Sequence, residues 1–223
     1  MRYLIVTGGP LPQEASDVIR SFSASIEEKV IIACDSGCDH LARLNIVPDI
    51  LLGDMDSISQ KGLKFAEKNK VFTEIYPVEK DWTDTEIALN KTEAGDKIML
   101  LCPVSARIDH VIANLGIALK LKGEGRDIVV TDGVTYCYPL SGEDKVQIDV
   151  TPYEGEAAVS LIPWNFGKKV KGVTTKGLYY PLDDSELTAG SSFSFSNHPK
   201  KSAKKISVSI KSGMLLVAVT KSV

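Results

Sequence analysis

The sequence predicts an α/β fold in two parts: an N-terminal three-layer α/β domain with a mainly parallel sheet, followed by a C-terminal all-β sandwich domain. Up to residue 131, short continuous apolar runs alternate with segments of helical periodicity, which is typical of a sheet covered on both faces. After about Pro139, no helical period is visible, and short alternating segments are separated by Gly, Pro, Asn and Ser. The composition, 43% hydrophobic and 25% charged, is that of a folded globular chain.

The strands of the N-terminal domain are predicted from apolar runs that end in polar turns. The second run, Val30-Ile31-Ile32-Ala33-Cys34, continues directly into Asp35-Ser36-Gly37. In chain order, strands are expected at residues 3–6, 30–34, 49–52, 71–76, 97–102 and 127–131.

The helices between these strands are predicted from apolar residues spaced three or four positions apart. Thr83 and Glu86 have the spacing of a capping box, so a helix is expected to begin at Thr83. The longest helix carries one apolar face, formed by Ile108, Val111, Ile112, Leu115 and Leu119. In chain order, helices are expected at residues 14–22, in a short segment that ends at 44, and at 61–69, 83–92 and 108–122.

The C-terminal part is predicted to contain only strands. They are expected at residues 145–150, 157–162, 169–173, 178–180, 192–196, 205–210 and 215–219. The segment Leu140-Ser141-Gly142-Glu143-Asp144 is interpreted as a linker, which gives domains at residues 1–140 and 141–223.

The charge balance and the lengths of the apolar runs argue against nucleic-acid binding and against membrane association. The net charge of -3 gives no basic surface, so no nucleic acid is expected as a partner. The apolar runs are too short for a signal peptide or a membrane-spanning helix, so no membrane association and a cytoplasmic location are expected. The four cysteines lack the spacing of a metal or disulfide framework and are expected to be buried thiols.

The stretch Gly53-Asp54-Met55-Asp56-Ser57 follows the third predicted strand. Residues two apart in an extended segment point the same way, so Asp54 and Asp56 are able to present both carboxylates to one point. Oxygen ligands of this kind suit Mg²⁺. An ordinary polar turn after a buried strand explains the same residues, and the stretch alone leaves both interpretations open.

Further polar residues follow the neighbouring strands, and in parallel sheets ligands bind at the carboxyl ends of the strands. Asp35 follows the second strand, and Lys80, Asp81 and Asp84 follow the fourth. These carboxylates fit either a shared metal site or simple stabilisation of a helix start.

A third polar segment, Arg107-Ile108-Asp109-His110, precedes the longest helix, with Asn114 one turn beyond His110. Arg107 could bind a phosphate through two parallel hydrogen bonds. The sequence contains no P-loop, no Gly-x-Gly-x-x-Gly fingerprint after the first strand and no Gly-x-Ser-x-Gly elbow. Phosphate chemistry here would therefore depend on a carboxylate-bound metal and scattered basic residues.

The order and spacing of these segments resemble the thiamine pyrophosphokinase (thiamin diphosphokinase) family. The resemblance rests on Asp35-Ser36-Gly37, on the segment from Pro48 to Ile58, on Lys80-Asp81-Trp82-Thr83-Asp84, and on Arg107-Ile108-Asp109-His110 with Asn114. It extends into the C-terminal half at Ser160-Leu161-Ile162-Pro163, at residues 172–178 and at Ser196-Asn197. The chain departs from the family pattern at Val104-Ser105-Ala106, where relatives usually carry a glycine-rich turn.

The resemblance implies an enzyme that transfers the pyrophosphate group of ATP to the hydroxyl of thiamine, giving thiamine diphosphate and AMP. It implies a homodimer whose active site lies at the interface. By resemblance the catalytic aspartates are Asp54, Asp56, Asp81 and Asp84, of which Asp54, Asp56 and Asp84 are the Mg²⁺ ligands. ATP would be contacted, or its pocket built, by Asp35, Ser36, Lys80, Thr83, Arg107, Asp109, His110 and Asn114. The positions on the thiamine side are Ser194, Ser196 and Asn197.

Two alternatives remain open at this point. A pyrophosphokinase that acts on another alcohol, such as a hydroxymethylpterin, would keep the fold and the metal site. A catalytically silent protein that binds a nucleotide or thiamine would keep the fold alone. Trp164 and Tyr180 are candidates either for stacking on an aromatic ligand or for packing within the sandwich.

Overall fold

The computed structural model describes residues 1–153, 156–165 and 167–221. The chain divides into two compact units: Met1–Ile117 with Glu124–Val134, and Ala118–Gly123 with Thr135–Val223. No helix within the described ranges is long and apolar enough to cross a membrane.

The first unit contains a parallel sheet. Its strands are β1 (Arg2–Val6), β2 (Lys29–Cys34), β3 (Ile50–Gly53), β4 (Phe72–Ile75), β5 (Lys97–Leu101) and β6 (Asp127–Thr131). They lie in the order β4-β3-β2-β1-β5-β6, and each neighbouring pair is parallel. The register places Val6 opposite Ala33 and Leu101, so the central strands end at the same level. The turns that follow them therefore share one edge of the sheet.

The helices of the first unit agree with the expected positions. They are α1 (Ala15–Ala24), α2 (Gly37–Arg43), α3 (Gln60–Lys68), α4 (Asp84–Leu89) and α5 (Ile108–Gly123), and the end of α5, Ala118–Gly123, belongs to the second unit. In α1 the buried residues Ala15, Ile19 and Phe22 follow the predicted spacing. Helix α4 ends at Leu89, three residues earlier than predicted, where the Thr92 hydroxyl donates to the Leu89 carbonyl at 2.7 Å.

The apolar face expected on α5 is only partly buried. The side chains of Ile108 and Ile112 are 70% and 54% exposed, whereas Asn114, Ala118 and Leu121 are buried. The buried stripe follows the spacing of four and three residues along a different face of the helix. The first turns of α5 thus leave apolar side chains on the surface of the unit.

The described part of the second unit is an antiparallel sandwich. Its strands are β7 (Thr135–Ser141), β8 (Asp144–Asp149), β9 (Ala157–Pro163), β10 (Lys169–Lys176), β11 (Ser185–Thr188), β12 (Lys205–Ile210) and β13 (Met214–Lys221). β13 lies between β7 and β9, and the second layer has the order β11-β10-β12-β8. One core contains Val159 and Val217 from the first layer and Val173 and Val208 from the second.

The division of the chain differs from the expected boundary at residue 140. The units divide at Val134 and Thr135, because residues 135–141 form a strand paired with β13 from Thr135 to Ser141. The segment interpreted as a linker therefore contains the end of β7, a turn at Gly142 and Glu143, and the start of β8.

Two expected strands of the C-terminal part are wrong. Residues 178–180 and 192–196 are loop segments, and strands β7 and β11 occur where no strand was predicted. Gly177 (φ 82°) and Ser196 (φ 56°) have left-handed backbone conformations next to these segments. Such a residue turns the chain away from the extended conformation, so the alternating side chains there do not join a ladder.

Candidate active site

A cleft of about 450 Å³ opens beside the carboxyl ends of the central strands of the first unit. Seven residues singled out from the sequence line it: Asp35, Ser36, Thr83, Asp84, Arg107, His110 and Asn114. Other lining residues were not predicted: Thr7, Gly8, Gly9, Pro10, Cys34, Ser57, Thr85, Pro103 and Ala106. Several of these follow β1, at whose end no ligand residue was predicted, although the same strand-end rule applies to it.

The turn after β1 comes very close to the turn after β2. A Cβ atom on Gly8 would lie 2.2 Å from the Ser36 hydroxyl oxygen, so a larger residue at position 8 could not occupy this space unless Ser36 moved. The Ser57 hydroxyl donates to the Ser36 hydroxyl at 3.2 Å, which joins the turn after β3 to the same corner.

The structure brings three carboxylates together at the ends of β2 and β3. One oxygen from each of Asp35, Asp54 and Asp56 lies within 4.8 Å of the others. Asp54 and Asp56 meet as the spacing predicted. Asp35 joins them because β2 and β3 are adjacent, and its backbone N–H donates to the Leu52 carbonyl at 3.0 Å. The sequence placed Asp35 in the nucleotide pocket but did not assign it as a metal ligand.

Left-handed backbone conformations hold these aspartates in place. Asp35 has φ 44° and Met55 has φ 64°, and the Met55 N–H donates to Asp35 Oδ1 at 2.9 Å. Gly53 has φ 143°, and a Cβ there would lie 2.0 Å from Asp35 Oδ1. Strained backbone of this kind concentrates at functional sites, and here it fixes where the Asp35 carboxylate points.

Lys80 connects this cluster to Asp84. Its Nζ lies 3.2 Å from Asp54 Oδ2 and 3.3 Å from Asp84 Oδ1, and all three side chains are largely buried. Asp84 Oδ1 is buried and accepts no hydrogen bond of good geometry, so the contact with Lys80 is an ion pair by distance alone. The ammonium group thus contacts two of the four carboxylates of Asp35, Asp54, Asp56 and Asp84, which leaves an excess of negative charge.

The crowding of charge shifts the pKa values of the cluster. Burial, reinforced by Asp84, raises the pKa of Asp35 to about 7. The backbone N–H of Asp56, together with Lys80, lowers the pKa of Asp54. The neighbouring Asp54 raises the pKa of Asp56. Burial alone would lower the pKa of Lys80, but its contacts with Asp54 and Asp84 outweigh that effect and raise it.

This donor set fits a magnesium ion. Its members are carboxylate oxygens, which Mg²⁺ prefers, and their mutual repulsion falls when a divalent cation lies between them. The buried Asp84 Oδ1, without a hydrogen bond, is a further oxygen able to bind a cation directly or through water. The residues able to hold the ion are thus Asp35, Asp54 and Asp56, with Asp84 beside them.

The remaining predicted residues of the first unit lie in different surroundings. Arg107 lines the cleft and donates to both carboxylate oxygens of Asp109, at 3.2 and 2.6 Å, which lowers the pKa of Asp109. Asp81 is exposed, and neither Asp81 nor Asp109 lines the cleft. Thr83 caps α4 as predicted, since its hydroxyl accepts from the Glu86 N–H at 3.2 Å.

The predicted thiamine-side residues lie together in the second unit, where they make internal contacts. The Ser194 hydroxyl donates to the Leu161 carbonyl at 2.7 Å, and the Ser196 N–H donates to the Ser160 hydroxyl at 3.1 Å. The Asn197 side chain bonds to nearby backbone groups. Ser194 also lines a cavity of about 190 Å³, together with Glu186 and Phe193.

Comparison with known proteins identifies two domains of one family along the chain. A family model described as the thiamin pyrophosphokinase catalytic domain matches residues 23–130, and one described as the thiamin pyrophosphokinase vitamin B1 binding domain matches residues 145–215. The chain is 28% identical over 197 residues to thiamine pyrophosphokinase from Bacillus subtilis (strain 168), covering 86% of this chain and 87% of the relative.

Solved structures with these family names have the same fold. The crystal structure of thiamine pyrophosphokinase from Bacillus subtilis matches with a TM-score of 0.83 and 24% identity, covering 100% of both chains. That of thiamin pyrophosphokinase from Geobacillus thermodenitrificans matches with a TM-score of 0.77 and 26% identity, covering 100% of this chain and 98% of the other. Because the two family models follow each other in order and together span most of the sequence, the chain belongs to the thiamin pyrophosphokinase family.

Proposed function

We propose that the cleft of the first unit binds ATP for the reaction of the family. The chain is a transferase that moves the pyrophosphate group of ATP to the hydroxyl of thiamine, giving thiamine diphosphate and AMP. The observation that carries this conclusion is the ordered match of a catalytic and a vitamin B1 binding domain along one chain. A match to a vitamin B1 binding domain favours thiamine over a pterin alcohol as the acceptor.

We propose Mg²⁺ as the cofactor, with Asp54, Asp56 and Asp84 as ligands and Asp35 as an additional one. The short distances among the carboxylates of Asp35, Asp54 and Asp56 support this ligand set. The buried Asp84 Oδ1 supports it as well. When bound, the ion would neutralise phosphate oxygens and so lower the cost of charge that develops during transfer. Asp81 is exposed. Its catalytic role therefore stays a prediction that rests on the resemblance alone.

The side chains around the cleft supply the remaining functions. Lys80 holds Asp54 and Asp84 in place and places an ammonium group beside the phosphates. Arg107 is exposed at the cleft and is able to bind phosphate oxygens with the same two N–H groups that now hold Asp109. Asn114 is buried at the cleft wall, where its amide can orient the nucleotide.

The assay of this proposal supplies the purified chain with MgATP and either thiamine or a hydroxymethylpterin, and measures AMP, ADP and thiamine diphosphate. We expect AMP and thiamine diphosphate in equal amounts, and loss of at least ~100-fold in kcat for Asp54→Asn. Asp17→Asn is the matched control, since Asp17 is an exposed carboxylate on α1, and it should retain full activity. Release of ADP, or no consumption of thiamine, would contradict the proposed reaction.

We further propose that the enzyme is a homodimer in which the active site combines the first unit of one subunit with the second unit of the other. The exposed apolar side chains of Trp82, Ile108 and Ile112 on the first unit support an interface, because large apolar side chains are usually covered.

A cytoplasmic location is proposed on the burial of all four cysteines, which suits a reducing compartment.

Mixing two defective variants tests the shared site. Asp54→Asn damages the first unit and Asn197→Ala damages the second. Subunits exchanged at a 1:1 ratio should regain about a quarter of wild-type activity at low thiamine, because half of the dimers are mixed and each carries one intact site. Activity no higher than the average of the two separate variants would show that each subunit is complete by itself.

A further inference from the structure

The turn after β1, residues 7–10, lies at the cleft and leaves backbone donors unused. All four of its residues line the cleft. The Thr7 N–H donates to the Leu101 carbonyl at 3.0 Å, which continues the pairing of β1 with β5. Within the described residues, the backbone N–H groups of Gly8 and Gly9 donate to no protein acceptor. These two adjacent donors are therefore available to acceptor atoms of a ligand in the cleft.

Two consecutive glycines give this turn more conformational freedom than other residues would. Gly9 has φ 95°, a backbone conformation that glycine adopts without strain. A segment that moves freely in the empty protein must be ordered when a ligand binds to it, and this ordering costs affinity. A contact that holds the turn in one conformation beforehand therefore strengthens binding.

His40 of α2 supplies such a contact. Its Nε2 lies 2.9 Å from the Gly9 carbonyl oxygen. A carbonyl oxygen only accepts hydrogen bonds, so Nε2 carries a proton and donates it. Burial lowers the pKa of His40, so the ring acts at neutral pH as an uncharged donor. His40 is outside the set of residues that line the cleft, and its contact with the turn is made from behind.

Helix α2 gives His40 a firm support. Its residues Cys38 and Leu41 are fully buried in the core of the first unit. The neighbouring Asp39 accepts from the backbone N–H of Ser59 at 3.0 Å and from the Ser59 hydroxyl at 2.5 Å, which ties α2 to the start of α3. The imidazole of His40 is thus carried by a fixed helix, and it can restrain a turn that is mobile by composition.

We propose that His40 is a positioning residue for nucleotide binding, which acts by holding the Gly9 carbonyl and with it the turn at residues 7–10. This inference rests on the proposed function, because it takes ATP as the ligand of the cleft. The role is indirect, since the imidazole bonds to the backbone of the turn and not to a group inside the cleft. Loss of the contact should weaken the binding of ATP and leave that of thiamine unchanged.

The test measures KM for ATP, KM for thiamine and kcat in variants of His40. His40→Ala and His40→Leu both lack the donor and should raise KM for ATP about fivefold, as expected for one hydrogen bond, with KM for thiamine and kcat within about twofold. His40→Gln keeps a side-chain N–H for the Gly9 carbonyl and should stay within about twofold of the wild type in all three constants. The control Arg43→Ala removes an exposed side chain from the same helix and should change none of them.

Several results would overturn the inference. An unchanged KM for ATP in His40→Ala would refute it, and if that variant does not fold, His40→Leu decides in the same way. Equal rises in both KM values would indicate a general loss of structure, and a raised KM for ATP in His40→Gln would exclude the hydrogen bond as the cause.

Calorimetric binding of MgATP in the absence of thiamine separates this inference from the proposed reaction. Weaker binding to His40→Leu than to the wild type supports the positioning role even if the wild type forms no thiamine diphosphate. Equal binding to both proteins refutes the role. No binding of MgATP to the wild type refutes it together with the assignment of the cleft to ATP.

Discussion

The raised pKa of Asp35 makes the stability of the metal-free protein depend on pH. The carboxyl titrates near 3.8 under ordinary conditions and near 7 in the folded protein, chiefly because it is half-buried. The folded state therefore binds this proton more tightly than the unfolded state. Its contribution to the free energy of unfolding is fully present below about pH 4 and is lost as the pH rises through about 7. The variant Asp35→Asn should lack this loss.

The structure limits the size of the effect. The difference between 3.8 and about 7 would correspond to about 4 kcal/mol for a group fully removed from water, at about 1.36 kcal/mol for each unit of pKa. Asp35 is only half-buried, and its carboxylate interacts with those of Asp54 and Asp84. Solvent screening therefore reduces the expected change in the free energy of unfolding to about 2 kcal/mol.

Urea denaturation at pH 5 and pH 8 in the presence of EDTA measures this difference. Part of the loss precedes pH 5, so between these two pH values the wild type should lose about 1 kcal/mol more free energy of unfolding than Asp35→Asn. Asparagine retains an Oδ1 that can accept from the Met55 N–H, so the local hydrogen bond survives the substitution. Asp17→Asn should follow the wild type. Equal pH dependence of the wild type and Asp35→Asn would refute the argument from burial.

Two further substitutions test contacts that hold the proposed site residues in position. Gly53→Ala places a Cβ 2.0 Å from Asp35 Oδ1 at a backbone with φ 143°, so both activity and at least ~2 kcal/mol of stability should be lost, as measured by turnover and denaturation. Unchanged Mg²⁺-dependent activity would show that the carboxylate can move freely. Ser194→Ala removes the hydroxyl bonded to the Leu161 carbonyl at 2.7 Å and should cost about 1 kcal/mol of stability with little change in KM for thiamine. A raised KM without loss of stability would instead assign the hydroxyl to the substrate.

The sequence predicted most of the first unit because its signals are local. Apolar runs mark the strands, and the polar residues at their ends mark the rim of the cleft. The role of Asp35 depends on which strands are neighbours, and strand order is not encoded in any short segment. Asp54 and Asp56 could be paired from their spacing, whereas Asp35 meets them only because β2 lies beside β3.

In the C-terminal unit, one segment of alternating polar and apolar residues was wrongly predicted to be a strand. Residues 192–196 read Ser-Phe-Ser-Phe-Ser, which has the period of a strand, yet they form turns. Phe193 and Phe195 are 72% and 43% exposed, so neither supplies the buried face that the pattern implies. The left-handed conformation of Ser196 could not be inferred, because serine has no marked preference for it.

The two ion pairs of Lys80 have a consequence for the acidic cluster when no divalent cation is bound. The ammonium group contacts Asp54 Oδ2 and Asp84 Oδ1 and so offsets part of the repulsion among the carboxylates. If Mg²⁺ binds as proposed, it would use the same two oxygens, and the displaced ammonium group would be available to phosphate oxygens. Lys80 is thus an internal counter-ion that keeps the acidic residues assembled in the empty site.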